Sequence, residues 1–93
     1  MALSTHTKRA INYGVKSVGI GTEISAVIDA GSGTLSDNAA RSLEFLVVDK
    51  GMGEGITAKI NAGSALTEAE RNALAISLAD RSAADEIATE LSS

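Results

Sequence analysis

The sequence predicts an all-α fold: three tandem helical hairpins, six helices, packed as one small bundle or a short solenoid. Three observations predict it. One pattern recurs three times along the chain, at offsets of 32 and 31 residues, with no gap inside any copy. The third copy, LTEAERNALAISLADRSAADEIATELSS, is dominated by Ala, Leu, Glu and Arg, which are strong helix formers. In every copy the apolar residues of the second half stand four apart, the spacing of one helical face.

The copies open at Leu3-Ser4, Leu35-Ser36 and Leu66-Thr67, so a single domain of residues 1–93 divides into repeats 3–34, 35–65 and 66–93. Eight residues beyond each leucine stand Ile11, Leu43 and Leu74. Ten beyond stand Tyr13, Phe45 and Ile76, and twelve beyond stand Val15, Val47 and Leu78. Farther along, Ile24, Ile56 and Ile87 correspond, as do Ile28, Ile60 and Leu91. Glycines recur too: Gly19 with Gly51, Gly21 with Gly53, Gly31 with Gly63. The phrases IDAGS (28–32) and INAGS (60–64) are the most visible trace of the pattern. Self-similarity at a fixed period marks a repeated supersecondary unit, so a feature that is clear in one copy informs the others.

The helices are expected near 4–17, 22–30, 36–49, 54–62, 67–80 and 83–91. In the first hairpin Ile24 and Ile28 give the second helix its buried face. Gly31 follows, where a left-handed residue closes the last turn. In the second hairpin FLVV and GITAKI are rich in β-branched residues and could pass for strands around a glycine turn. Helix is preferred, because the aligned third copy is strongly helical and Ile56 and Ile60 keep the four-residue spacing. Gly63 is the matching helix stop, and Ser36 and Thr67 begin the hairpins that follow. In the third hairpin Thr67 and Glu70 form a capping box, each side chain satisfying the other's free backbone N–H. Leu74 and Leu78 share a face. Ser82 caps a second, shorter helix whose positive end suits Asp85 and Glu86, and Ile87 and Leu91 are its buried face. The glycines of GIGTE (19–23) and GMGEG (51–55) read as hinges between paired helices.

Composition limits the function. Ninety-three residues hold one modest core, and with aromatics at only 2% that core is built from Ala, Val, Ile and Leu. Without cysteine there is no disulfide, thiolate metal site or cysteine nucleophile. Without proline, glycine is left to stop helices. No charged n-region with a long apolar run follows Met1, and no stretch approaches the ~18 continuous apolar residues of a membrane span. The chain reads as soluble, without membrane association. Its net charge of −4 is graded: +1 over residues 1–34, −1 over 35–65 and −4 over 66–93. Such a gradient can orient a subunit in an assembly, but it is not the basic stripe of a nucleic-acid binder.

No catalytic, cofactor-binding or metal-binding site is expected. His6 is the only histidine and has neither a second imidazole nor a thiol to share a metal with. The GxG phrases complete neither a P-loop nor a dinucleotide fingerprint. Asp80, Asp85, Glu86 and Glu90 lack a calcium-type loop and read as a solvated face. No GxSxG elbow presents a serine nucleophile. The bases have no aromatic partners on which single-stranded nucleic acid would stack.

RNALAISLADRSAADEIATEL, with its echo TKRAINYGVKSVGIGTEISAVI, resembles short virion proteins of tailed bacteriophages, encoded near the major capsid gene. The residues that carry the resemblance are Arg71, Ala73, Leu74, Ala83, Ala84, Glu86, Ile87 and Ala88. Arg9, Ala10, Ile11, Glu23, Ile24, Ile28, Asp29, Ala30 and Gly31 carry it in the first copy. The resemblance implies a capsid decoration or cement protein that binds the assembled head through the major capsid or another virion protein, without catalysis. It places the chain in the virion, assembled in the host cytoplasm, and leaves self-association open. The alternative is a small intracellular helical adaptor that binds a partner protein. The middle copy departs from the pattern, with Gly55 where the others have Glu23 and Glu86.

One stripe is a candidate partner-binding site. On a helical wheel of ~100° per residue, Tyr13, Phe45 and Ile76 fall nearly opposite the arc of Ile11, Leu43 and Leu74. Each first helix therefore carries apolar surface on two sides. The ordinary reading is that the second stripe packs repeat against repeat, as a stacked array requires. The other is that it stays exposed and docks a partner, since aromatic anchors often dominate interfaces.

Overall fold

Ser4, Ser36 and Thr67 each start a helix. Their hydroxyls accept from the backbone N–H of Thr7, Ala39 and Glu70, three residues on, which satisfies a donor the first turn would otherwise leave free. The helices that follow are α1 (Thr5–Val15), α3 (Asp37–Val47) and α5 (Glu68–Leu78). Thr67 and Glu70 form the expected capping box. The computed structural model describes residues 2–92, and among them the regular structure is entirely helical.

Each of these helices ends at a residue of positive φ: Lys16 at 57°, Val48 at 69° and Ala79 at 54°. The next residue caps a new helix. Ser17 accepts from Ile20, Asp49 from Met52 and Asp80 from Ala83. These second helices are α2 (Val18–Ala30), α4 (Lys50–Ala62) and α6 (Arg81–Ser92). They begin earlier than the sequence suggested, because a cap-forming residue directly follows the turn. The cap of α6 is Asp80, not Ser82, whose hydroxyl instead donates to Asp80 Oδ1 at 2.8 Å.

The glycines of GIGTE and GMGEG are consequently not hinges. They lie inside α2 and α4, where Gly21 and Gly53 let paired helices approach closely. A Cβ on Gly21 would lie 2.8 Å from Asn12 Cα, and one on Gly53 would lie 2.6 Å from Glu44 Cα. The third unit has Ala84 at this place, and it is fully buried.

The hairpins close into a ring and do not stack in a line. Each of α1, α3 and α5 packs against the other two, and α2 meets α3, α4 meets α5 and α6 returns to α1. A linear array would leave its first and last units apart. The extents are correspondingly even, 28 × 27 × 24 Å. At the centre, Ile11, Leu43 and Leu74 meet Ile24, Ile56 and Ile87, and Ile28, Ile60 and Leu91, all of them buried. Each contributes on the order of 1.5–3 kcal/mol by leaving water. The C-terminal turns of α1, α3 and α5 converge: a Cβ on Gly14 would come within 2.9 Å of Leu78 and 3.1 Å of Leu46.

The recurrence of IDAGS and INAGS has a structural reason. Asp29 Oδ1 accepts from the N–H of Leu3 at 2.7 Å, and Asn61 Oδ1 accepts from that of Leu35 at 2.9 Å. The acid or amide of each phrase thus ties the end of a unit to its own opening leucine. Gly31 (φ 91°) and Gly63 (φ 67°) close the helices as expected. The two connectors also touch, since Gly33 N–H donates to the Asn61 carbonyl at 3.0 Å.

Candidate functional site

Three carboxylates hold the joints of the ring. Ser36 donates its N–H to Glu23 Oε2 (2.6 Å) and its hydroxyl to Glu23 Oε1 (3.0 Å). Ser4 N–H donates to Glu86 Oε1. A glutamate one unit back therefore holds the first turn of the next. Gly55 cannot serve the third joint, and there Thr67 N–H and Lys59 Nζ both donate to Glu70 Oε1 at 2.9 Å. Burial alone would raise the Glu70 pKa, but the Thr67 N–H and the Lys59 ammonium together hold it below the ordinary value. The role that Glu23 and Glu86 share is thus a structural joint.

His6 lies in the first turn of α1, exposed, with Nε2 2.5 Å from Asp80 Oδ2. The Ala83 N–H, the Ser82 hydroxyl and His6 lower the Asp80 pKa to about 2. Asp85 lies 3.7 Å from Arg71 and 4.0 Å from Arg81. The acids of the third unit are thus distributed among separate partners. Among the described residues no group of three or more His, Asp or Glu is placed to hold a metal ion, and no helix is long and apolar enough to cross a membrane.

The second apolar stripe faces solvent. Tyr13 and Phe45 are each 84% exposed and Ile76 is 80% exposed. The ordinary reading, in which they pack repeat against repeat, is therefore incorrect. Ring closure is made through the opposite arc and the convergent C-terminal turns, so this stripe is left without a neighbour. Val18 and Val48 are also exposed, and both stand at the hairpin turns beside Tyr13 and Phe45. With Ile76, the large exposed apolar residues among those described all lie at or just before the three hairpin turns.

Bases accompany them. Arg9, Lys16 and Val18 line a groove of about 650 Å³ with Tyr13. Arg41, Lys50 and Val48 line one of about 340 Å³ with Phe45, which Glu44 also borders. Arg9 and Arg41 occupy the same place in their units, one turn before the ring. In the third unit Asn72 takes that place and accepts from Arg81 Nη1 at 3.1 Å. Of this surface, sequence reasoning found Tyr13, Phe45 and Ile76 but missed the valines and bases, although the Arg9–Arg41 correspondence was there to be read.

No protein-family model, no curated protein and no solved structure matches the chain.

Proposed function

We propose that the chain is a non-enzymatic virion structural protein of a tailed bacteriophage, a decoration or cement protein that docks on the assembled head. The phage assignment rests on the sequence resemblance. The observation that carries the docking role is the exposure of Tyr13, Phe45 and Ile76 at corresponding positions of three units. Leaving one such side chain in water forgoes roughly 1.5–3 kcal/mol of burial, and a partner surface recovers it. Aromatic side chains suit this use, offering large contact area with little conformational freedom to lose. The closed ring supports them on short, capped helices, so little ordering is needed on binding.

The test is the protein content of purified virions. The chain is expected in them at a fixed ratio to the major capsid protein, and removable without opening the capsid lattice. Its recovery solely in the soluble fraction of the host, bound to a cellular protein, would replace this reading with the intracellular adaptor.

A further inference from the structure

The three units surround one axis, and each displays an outward apolar side chain at the same place, near the turn that meets the others. We infer that this surface, if it is the head-docking surface proposed above, engages a threefold-symmetric partner. One chain then spans three copies of a protein that each present an apolar pocket rimmed by carboxylates.

The symmetry half of the inference comes from the ring. Tyr13, Phe45 and Ile76 lie on α1, α3 and α5, which pack pairwise around the axis where Gly14, Leu46 and Leu78 converge. A single chain therefore offers three related contacts without assembling into a trimer. The complement of such a surface is a closed threefold arrangement of identical sites. Three contacts on one rigid body act together, so weak individual pockets suffice.

The charge half comes from which bases are paired. Lys8, Lys59 and Arg71 face Asp29, Glu70 and Asp85. Arg9, Lys16, Arg41 and Lys50, beside Tyr13 and Phe45, form no ion pair with a described residue. In a chain of net charge −4, unpaired positive charge is concentrated where the apolar side chains protrude. That arrangement attracts a rim of carboxylates and rejects a basic one. The third unit is poorer, with Ile76 for the ring and Arg81 already bound to Asn72. The three contacts are consequently unequal, with Tyr13 and Phe45 the stronger pair.

The experiment uses heads assembled without this chain from the genome that encodes it, titrated with the purified full-length protein. Saturation is expected at one chain per three major capsid subunits, with density on the local threefold axes. Reversing charge in Arg41→Glu or Lys16→Glu should weaken binding by about tenfold or more at low salt, and less at high salt. Phe45→Ala and Tyr13→Ala should each weaken it more than Ile76→Ala. The substituted side chains are exposed, so unchanged melting temperatures will show that each variant is folded. Saturation at one chain per capsid subunit, density away from the threefold axes, or charge reversal without loss of affinity would overturn this inference and leave head docking intact. Failure of the folded chain to bind heads at all removes both readings. Tight binding to a single-stranded oligonucleotide, blocked by the same charge reversals, would replace the acidic protein partner with nucleic acid.

Discussion

Glu70 occupies the space that Gly55 leaves empty: a Cβ on Gly55 would lie 2.6 Å from Glu70 Oε2. At two joints of the ring a glutamate reaches forward from the preceding unit. At the third, the following unit supplies its own carboxylate from within the capping box, and it enters the vacancy in α4.

An exchange experiment follows. Gly55→Glu alone should destabilise by about 2 kcal/mol, through steric conflict and the meeting of two carboxylates. Glu70→Ala alone should cost about 1–2 kcal/mol, since it removes half of a capping box and the partner of Lys59. Combined, the two should cost clearly less than their sum, because the new glutamate can take the position that Glu23 takes on Ser36. Urea denaturation of the four proteins measures the coupling, and strict additivity would refute the exchange.

Gly63→Val should be far more damaging than Gly33→Val. Gly63 has φ 67°, and a Cβ there would lie 1.8 Å from the Gly31 carbonyl oxygen. A β-branched residue is strained in that backbone region by about 1–2 kcal/mol before the clash is counted. Gly33 meets only the Val27 side chain, at ordinary contact distance of 3.4 Å. Thermal melts of the two variants make the comparison, and equal losses would contradict the contact between the connectors.

Val48 sits at φ 69°, ψ −42°, with the Asp49 N–H donating to the Val47 carbonyl across it at 2.7 Å. This is a γ-turn of the strained hand. The side chain is 87% exposed, so removing it forfeits little packing. Val48→Gly should therefore stabilise, by about 0.5–1 kcal/mol after glycine's greater freedom in the unfolded chain is deducted. A lowered melting temperature would show that the valine has a packing role within the folded chain.

Phe45→Ala separates stability from docking. A buried phenylalanine would cost ~3–5 kcal/mol to truncate, whereas an exposed one should shift stability by no more than about 0.5 kcal/mol. Differential scanning calorimetry should find the variant nearly as stable as the parent, while head binding is clearly weakened. A large drop in melting temperature would place the ring in a core.

Acid should loosen the third hairpin. Asp80 is lowered from 3.8 to about 2 by the Ala83 N–H, then the Ser82 hydroxyl, then His6. Between these values the unfolded chain binds more protons than the folded one, so stability rises with pH in this window. The contribution is complete above about pH 4 and is lost as pH falls through about 2. Asp80→Asn keeps a capping side chain but cannot titrate. Its melting temperature should fall less steeply than the parent's across that range, and parallel curves would count against the assignment.

The periodic part of the fold was legible. The isoleucines and leucines that recur at fixed places in each unit are the residues that meet in the core. The turns were not, because Lys16, Val48 and Ala79 carry none of the usual turn chemistry. Their positive-φ backbone is held by the helices they join. Gly21 and Gly53 misled for a related reason. Glycine serves either an unusual dihedral or the absence of a side chain, and only the approach of Asn12 and Glu44 shows which applies here. Ring closure was hidden as well: Glu23 and Glu86 recur at one place in their units, but the recurrence does not say that they reach across the joints to Ser36 and Ser4. The stripe of Tyr13, Phe45 and Ile76 could be seen on a helical wheel, but a wheel shows which way a residue points and not whether anything stands there.

Glu86 accepts from the amide of Ser4, 82 residues earlier. As the polypeptide leaves the ribosome, the Ser4 amide has only water to accept from it until the final hairpin has been made. Contacts of such separation are costly in chain entropy and slow to form, so assembly belongs to the finished molecule and not to its nascent stages.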